Sequence, residues 1–136
     1  GDVYQAGTLS GNPLAVAAGL ATLEIASDRA FYARLEERSA HLQHGLERAA
    51  RDARVAVQVP RQGSMLCVYF AERPVTTFPE VLATERARFP KFFHAMLERG
   101  VLLPPSPFES WFVSSAHDEA TIERVVEAAG EAFAVC

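Results

Sequence analysis

Gly7-Thr8-Leu9-Ser10-Gly11-Asn12-Pro13 is the stretch of this sequence whose residue types best suit chemistry. Glycine lets backbone N–H groups come close to an anion, and a threonine hydroxyl adds a donor. A loop that feeds a helix start also lies at the positive end of that helix's dipole. Gly7 and Thr8 could therefore cradle a phosphate. The same residues also suit an ordinary tight turn capped by Asn12, and both readings stay open at this level. The spacing matches neither glycine-rich nucleotide motif. There is no Gly-x-Gly-x-x-Gly, and no Gly-Lys-Ser or Gly-Lys-Thr.

Glu109 is the second candidate. It lies between Phe108 and Trp111-Phe112, after three prolines in four residues. An acid in a rigid, aromatic setting can bind an ammonium group or hold a raised pKa; the alternative is an exposed loop glutamate. The four histidines make no metal cluster. His41 and His44 are three apart on a helix, without a cysteine or acid to complete a set, and are expected on its surface. His94, among phenylalanines, is expected at the edge of the core, and His117 is expected to fix the corner before Asp118. The 13 basic residues are 12 arginines and a single lysine, Lys91, in no special loop. No serine, cysteine or histidine arrangement reads as a nucleophile with its base. The chain thus reads as part of a site without its reactive centre: it offers no catalytic residue and no metal ligand set.

The elements that must position these residues follow from periodicity and stop signals. Asn12 caps and Pro13 fits the first position of a helix running to about Ile25. This helix is apolar or small nearly all round and is expected to be buried. Ser27-Asp28 restarts a second helix to about Arg51, with Phe31, Leu35, Leu42, Leu46 and Ala49 at helical spacings. Val55–Val59 is expected to be a strand stopped by Pro60. A turn at Gln62-Gly63 leads to a second strand, Met65–Phe70. Phe78-Pro79 opens a helical turn, and Phe89–Arg99 is a helix stopped by Gly100. Val101–Leu103 and Ser110–Ser114 are expected strands. Asp118 caps the last helix, whose inner face is Ile122, Val125, Val126, Ala129 and Phe133. The order α-α-β-β-α-β-β-α predicts a small layered α/β (α+β) domain with helices on one face of a mostly antiparallel sheet.

Composition narrows the function. A chain of 136 residues suits one ordinary domain, and 49% hydrophobic residues suffice for a core. A net charge of −4 argues against a nucleic-acid footprint. Mixed charges argue against wholesale disorder, and no apolar stretch reaches the roughly 18 residues of a membrane span. Two cysteines, Cys67 and Cys136, make no disulfide framework, which favours a reducing compartment. The abrupt opening at Gly1-Asp2-Val3-Tyr4, without methionine, reads as a piece of a longer protein.

Val3-Tyr4-Gln5-Ala6 with the loop through Leu14-Ala15 resembles the corresponding stretch of the glutamate-1-semialdehyde 2,1-aminomutase family, within the class III aminotransferases. The resemblance continues at Phe92-Phe93-His94, Met96-Leu97, Gly100-Val101, Pro105-Ser106, Phe108-Glu109 and Ser115-Ala116-His117, and runs essentially end to end. It implies a pyridoxal 5′-phosphate enzyme on the fold of aspartate aminotransferase. Such an enzyme moves an amino group within glutamate 1-semialdehyde to give 5-aminolevulinate for tetrapyrrole (porphyrin) synthesis. It also implies a cytoplasmic homodimer with active sites at the subunit interface. This chain would be the C-terminal third, with residues 1–26 ending the large domain and 27–136 forming the small C-terminal domain. The first helix would then be covered by the large domain and exposed without it. The family's cofactor lysine lies upstream, and Lys91 does not match it. By the same resemblance Gly7 and Thr8 reach the partner subunit's cofactor phosphate, Glu109 lies near the substrate's amino groups, and Tyr4 lines the same cavity.

Two residues depart from the family pattern. Pro90 is expected to delay or kink its helix, and Trp111 stands where a small residue is usual and would narrow the pocket. Two rival readings remain. Another class III aminotransferase would more often carry Thr-Phe or Thr-Tyr before Gly-Gly-Asn-Pro. An isolated, non-catalytic folding or interaction domain is favoured by the missing lysine for this stretch of chain, though not for the whole protein.

Overall fold

Asn12 starts the first helix as its type predicts. Its side-chain oxygen accepts from the N–H groups of Leu14 and Ala15, at 3.1 and 3.2 Å, and Pro13 takes the first helical position. Helix α1 spans Pro13–Ala26. The computed structural model describes residues 2–136 and separates two compact units, residues 1–34 and 35–136. Gly1, first in the expected 1–26 segment, lies outside the described residues. The first unit contains α1 and the start of α2 (Arg29–Asp52). None of the fourteen α1 residues is buried, and Leu14, Leu20, Leu23 and Ile25 are exposed, so the expected burial does not hold in this chain. A helix apolar on every side needs neighbours on every side, and its own sequence cannot supply them.

The second unit is built on the rest of α2. Its inner stripe Leu42, Gly45, Leu46, Ala49 and Ala50 repeats at helical spacing and is buried. Gly45 lets α2 approach α5 (Glu119–Phe133): a Cβ there would stand 2.4 Å from a Val126 methyl.

Among the described residues the sheet has three short strands, β1 (Arg61–Gln62), β2 (Met65–Leu66) and β3 (Trp111–Phe112), antiparallel in that order. Gly63 turns β1 into β2 at φ 58, the conformation a two-residue hairpin loop demands. Beyond Pro60 the same register reappears. Gln58 and Tyr69 exchange both backbone hydrogen bonds at 2.8 and 2.9 Å, and Ala71 N–H donates to Ala56. Opposite them Pro60 accepts from Cys67 N–H at 3.2 Å but has no N–H to return. The expected Val55–Val59 and Met65–Phe70 strands are therefore one hairpin interrupted at Pro60, not two full strands. Val101–Leu103 is not a strand either. Val101 N–H donates to Met96, and Leu102 is 76% exposed. Ser110–Ser114 contracts to β3.

Alternation along these strands sets the layers. Leu66, Val68, Phe70, Trp111 and Val113 are buried, while Met65 and Phe112, paired across the sheet, are exposed. Helices therefore cover one face of an antiparallel sheet, as the sequence predicts. Arg61 ties the hairpin to α2. Its guanidinium donates to Gln43 at 2.9 Å, to Glu36 at 2.6 Å and to the Gly63 carbonyl at 2.8 Å.

After the hairpin come α3 (Phe78–Leu82), a 3-10 turn at Arg86–Arg88 and α4 (Phe89–Glu98). Pro90 neither delays nor kinks α4. It sits in the first turn, where a missing N–H costs nothing. Phe89, Phe92, Ala95 and Met96 form the buried face. His94, two residues from Phe92, points to the opposite side and is exposed, not at the core edge. At the centre, the Phe92 ring stacks on Phe133 at 4.6 Å and on Trp111 at 6.4 Å, with Phe70 edge-on at 5.8 Å. Trp111 is thus part of the core, and it also lines a cavity with Leu103, Pro104 and Val113.

Candidate functional site

The loop before α1 is two consecutive turns. Ser10 N–H donates to Gly7 at 3.0 Å, and Asn12 N–H donates to Leu9 at 3.0 Å. Gly11, at φ 75, occupies the third position of the second turn, the one that requires glycine in a type II turn. Gly7 is needed less strictly: a Cβ there would meet only the Ser10 hydroxyl, at 3.0 Å. Tyr4, Gly7 and Thr8 are all exposed.

The donors at the start of α1 are all engaged. Pro13 has none, Leu14 and Ala15 donate to the Asn12 side chain, and Val16 donates to the Asn12 carbonyl at 2.9 Å. An anion at this loop would therefore be held by Gly7 and Thr8 themselves, through backbone N–H groups and the hydroxyl, and not by the helix terminus. Those groups find no partner among the described residues. Residues 7–13 also include no acidic side chain to repel a phosphate.

Glu109 belongs to the second unit, in an exposed loop. Its N–H donates to the Ser106 carbonyl at 3.2 Å, and Phe108 N–H donates to the Ser106 hydroxyl at 3.2 Å. Among the described residues its carboxylate forms no ion pair. Tyr4, Gly7 and Thr8 lie in the first unit and Glu109 in the second. Nearby, His117 fixes its corner as expected, its Nδ1 accepting from Ser114 N–H at 2.9 Å. The Arg38 guanidinium donates to the Ser115 carbonyl at 2.9 Å. His41 pairs with Glu123 at 2.6 Å, His44 is exposed, and no group of metal ligands occurs among the described residues. Both cysteines are free. Among the described residues no helix is long and apolar enough to cross a membrane.

The family model for class III aminotransferases matches residues 1–129. The chain belongs to the class III aminotransferases. Within that family, two relatives named glutamate-1-semialdehyde 2,1-aminomutase are similar over 134 residues, or 98% of this chain. The one from Thermomicrobium roseum is 51% identical and the one from Anaeromyxobacter sp. (strain K) 53% identical. The chain spans 31% of the length of each. Among solved structures, an omega-transaminase from Sphaerobacter thermophilus superposes with a TM-score of 0.81 at 25% identity, covering 98% of this chain and 30% of that one. The helices-on-sheet arrangement is therefore that of part of a class III aminotransferase.

Sequence reasoning passed over one well-defined polar anchor. The Glu80 carboxylate accepts from the N–H groups of Thr76 and Thr77, both at 2.8 Å, and from the Thr76 hydroxyl at 3.0 Å. The Thr77-x-x-Glu80 spacing of a capping box was the available signal. These bonds, those from the backbone first, hold its pKa down at about 2 from an ordinary 4.5. The folded value lies below the unfolded one. The contribution to stability is therefore full above pH 4.5 and is lost as pH falls towards about 2. A carboxyl ¹³C titration should place the Glu80 midpoint near 2; a midpoint at the ordinary value would show that the anchor does not form.

Proposed function

We propose that this chain is the C-terminal third of a pyridoxal 5′-phosphate-dependent aminomutase that converts glutamate 1-semialdehyde to 5-aminolevulinate, a tetrapyrrole precursor. The observation that carries this reading is the end-to-end similarity, above half identity, to relatives bearing that name. The Gly-Thr-Leu-Ser-Gly-Asn-Pro block supports the aminomutase over a transaminase of the same family. In this reading residues 1–26 end the large cofactor domain and 27–136 form the small domain. The whole protein is a cytoplasmic homodimer.

Gly7 and Thr8 fit a phosphate, having free donors and no neighbouring carboxylate within the loop. They hold the cofactor phosphate of the partner subunit. Pyridoxal phosphate, when bound, supplies the electron sink that lets an amino group leave one carbon and join another. Glu109 presents an acceptor to the substrate's amino groups, and Tyr4 lines the cavity. Lys91, exposed on α4, has no part in this chemistry, and the lysine that carries the cofactor lies upstream.

The test uses the full-length protein supplied with glutamate 1-semialdehyde and cofactor but no second amino donor. 5-Aminolevulinate should accumulate, and the 136-residue chain alone should give none. A strict need for a separate amino donor would identify an intermolecular transaminase instead.

A further inference from the structure

An exposed carboxylate is aimed only as well as the loop that carries it. The loop at Ser106–Ser110 is gripped from two directions beyond its own turn. On one side the Cys67 thiol, on the core hairpin, lies 3.9 Å from the Glu109 carbonyl and 3.6 Å from the Ser110 hydroxyl. On the other, the Arg86 guanidinium carbon stands 5.6 Å above the centroid of the Phe108 ring, and the Phe78 ring packs on the same phenylalanine at 6.3 Å. Arg86 is itself anchored. The neighbouring Glu85 N–H donates at 2.9 Å to the carbonyl of Phe70, a core residue. Among the described residues Arg86 pairs with no carboxylate, so its charge faces the ring and leaves Glu109 free.

The geometry points to Arg86 as a positioning residue for Glu109. Its guanidinium clamps the Phe108 ring against Phe78 and so sets the backbone from which the adjacent carboxylate meets the substrate. This rests on the reading of Glu109 as a substrate contact. Arg86 works because a cation over an aromatic face favours one placement of the ring, and Phe108 shares its peptide bond with Glu109.

The experiment is a kinetic cycle in the full-length holoenzyme. Arg86 is an exposed residue, so Arg86→Met leaves the fold intact while removing the cation. Loss of one exposed cation–π contact corresponds to about a 2- to 5-fold change in an equilibrium. KM for glutamate 1-semialdehyde should rise by about that factor with kcat nearly constant, and amide exchange of Glu109 should quicken to a similar degree. Arg86→Lys, which keeps the cation, should restore at least part of the effect, and Phe108→Leu should reproduce the loss. In a Glu109→Gln background, Arg86→Met should add nothing. If Arg86→Met leaves KM and exchange unchanged while Glu109→Gln impairs the enzyme, the positioning role is wrong and the Glu109 reading stands. If the two substitutions add, Arg86 acts independently of Glu109 and the inference falls. If Glu109→Gln is itself silent, the substrate-contact reading fails and takes the positioning role with it.

Discussion

Replacing Phe92 by alanine is expected to destabilise the second unit by about 3–5 kcal/mol, the range for emptying an aromatic from a well-packed core. Phe92 is fully buried and stands at the centre of the aromatic cluster. It stacks on Phe133 from α5 and Trp111 from β3, and meets Phe70 from the hairpin edge-on. One side chain on α4 therefore packs against the sheet and the last helix together. Domains are stable by only about 5–15 kcal/mol, so the loss should consume much of the total. Denaturant titration should show a fall in midpoint at constant slope. Phe92→Leu, which keeps most of the volume, should cost clearly less. A loss below about 1 kcal/mol for alanine would mean that the aromatic cluster contributes little beyond ordinary burial.

The second large effect is expected at Thr8, in the full-length dimer. Thr8→Val removes the hydroxyl and nearly keeps the shape. If that hydroxyl donates to the cofactor phosphate, its loss should weaken cofactor binding by about 1.5–3 kcal/mol, the range for hydrogen bonds to charged groups. That is roughly a tenfold to hundredfold rise in Kd. Binding should not vanish, because the backbone N–H groups of the turn are unchanged. The donors at the start of α1 do not compensate, since Asn12 already occupies them. Mixed dimers locate the effect. A subunit carrying Thr8→Val is paired with one lacking the cofactor lysine. A loop acting across the interface puts the defect on the cofactor site of the lysine-less partner. A defect confined to the mutated subunit's own site would make Gly7 and Thr8 a turn of their own domain.

Both predictions draw on features of unequal legibility. The ends of the helices were readable because each depends on groups within one turn of each other. Asn12 bonds two and three residues on, Asp118 accepts from Thr121 N–H at 2.8 Å, and Gly100 stops α4 at φ 79. The buried face of α5 was readable for the same reason, since spacing along one helix determines which side chains share a side. The Gly7–Pro13 block was readable as a pattern of types, and together with the Phe-Glu and Ala-His elements it carries the family resemblance.

The strands were less legible, because a strand exists only where a partner completes its ladder. Val101–Leu103 has the composition of a strand but no partner among the described residues. The Val55–Val59 run has its partner, yet Pro60 withholds the return hydrogen bond. Trp111 is a core ring because the pairing of its strand with Leu66 puts it on the buried face, which its residue type alone does not reveal. The Arg86–Phe108 contact joins residues 22 positions apart that no periodicity connects. Local spacing suffices for what a few consecutive residues do to one another. Which ring lies on which, which strand finds an edge and which cation stands beside a loop follow from packing across long stretches of chain, where every choice depends on all the others.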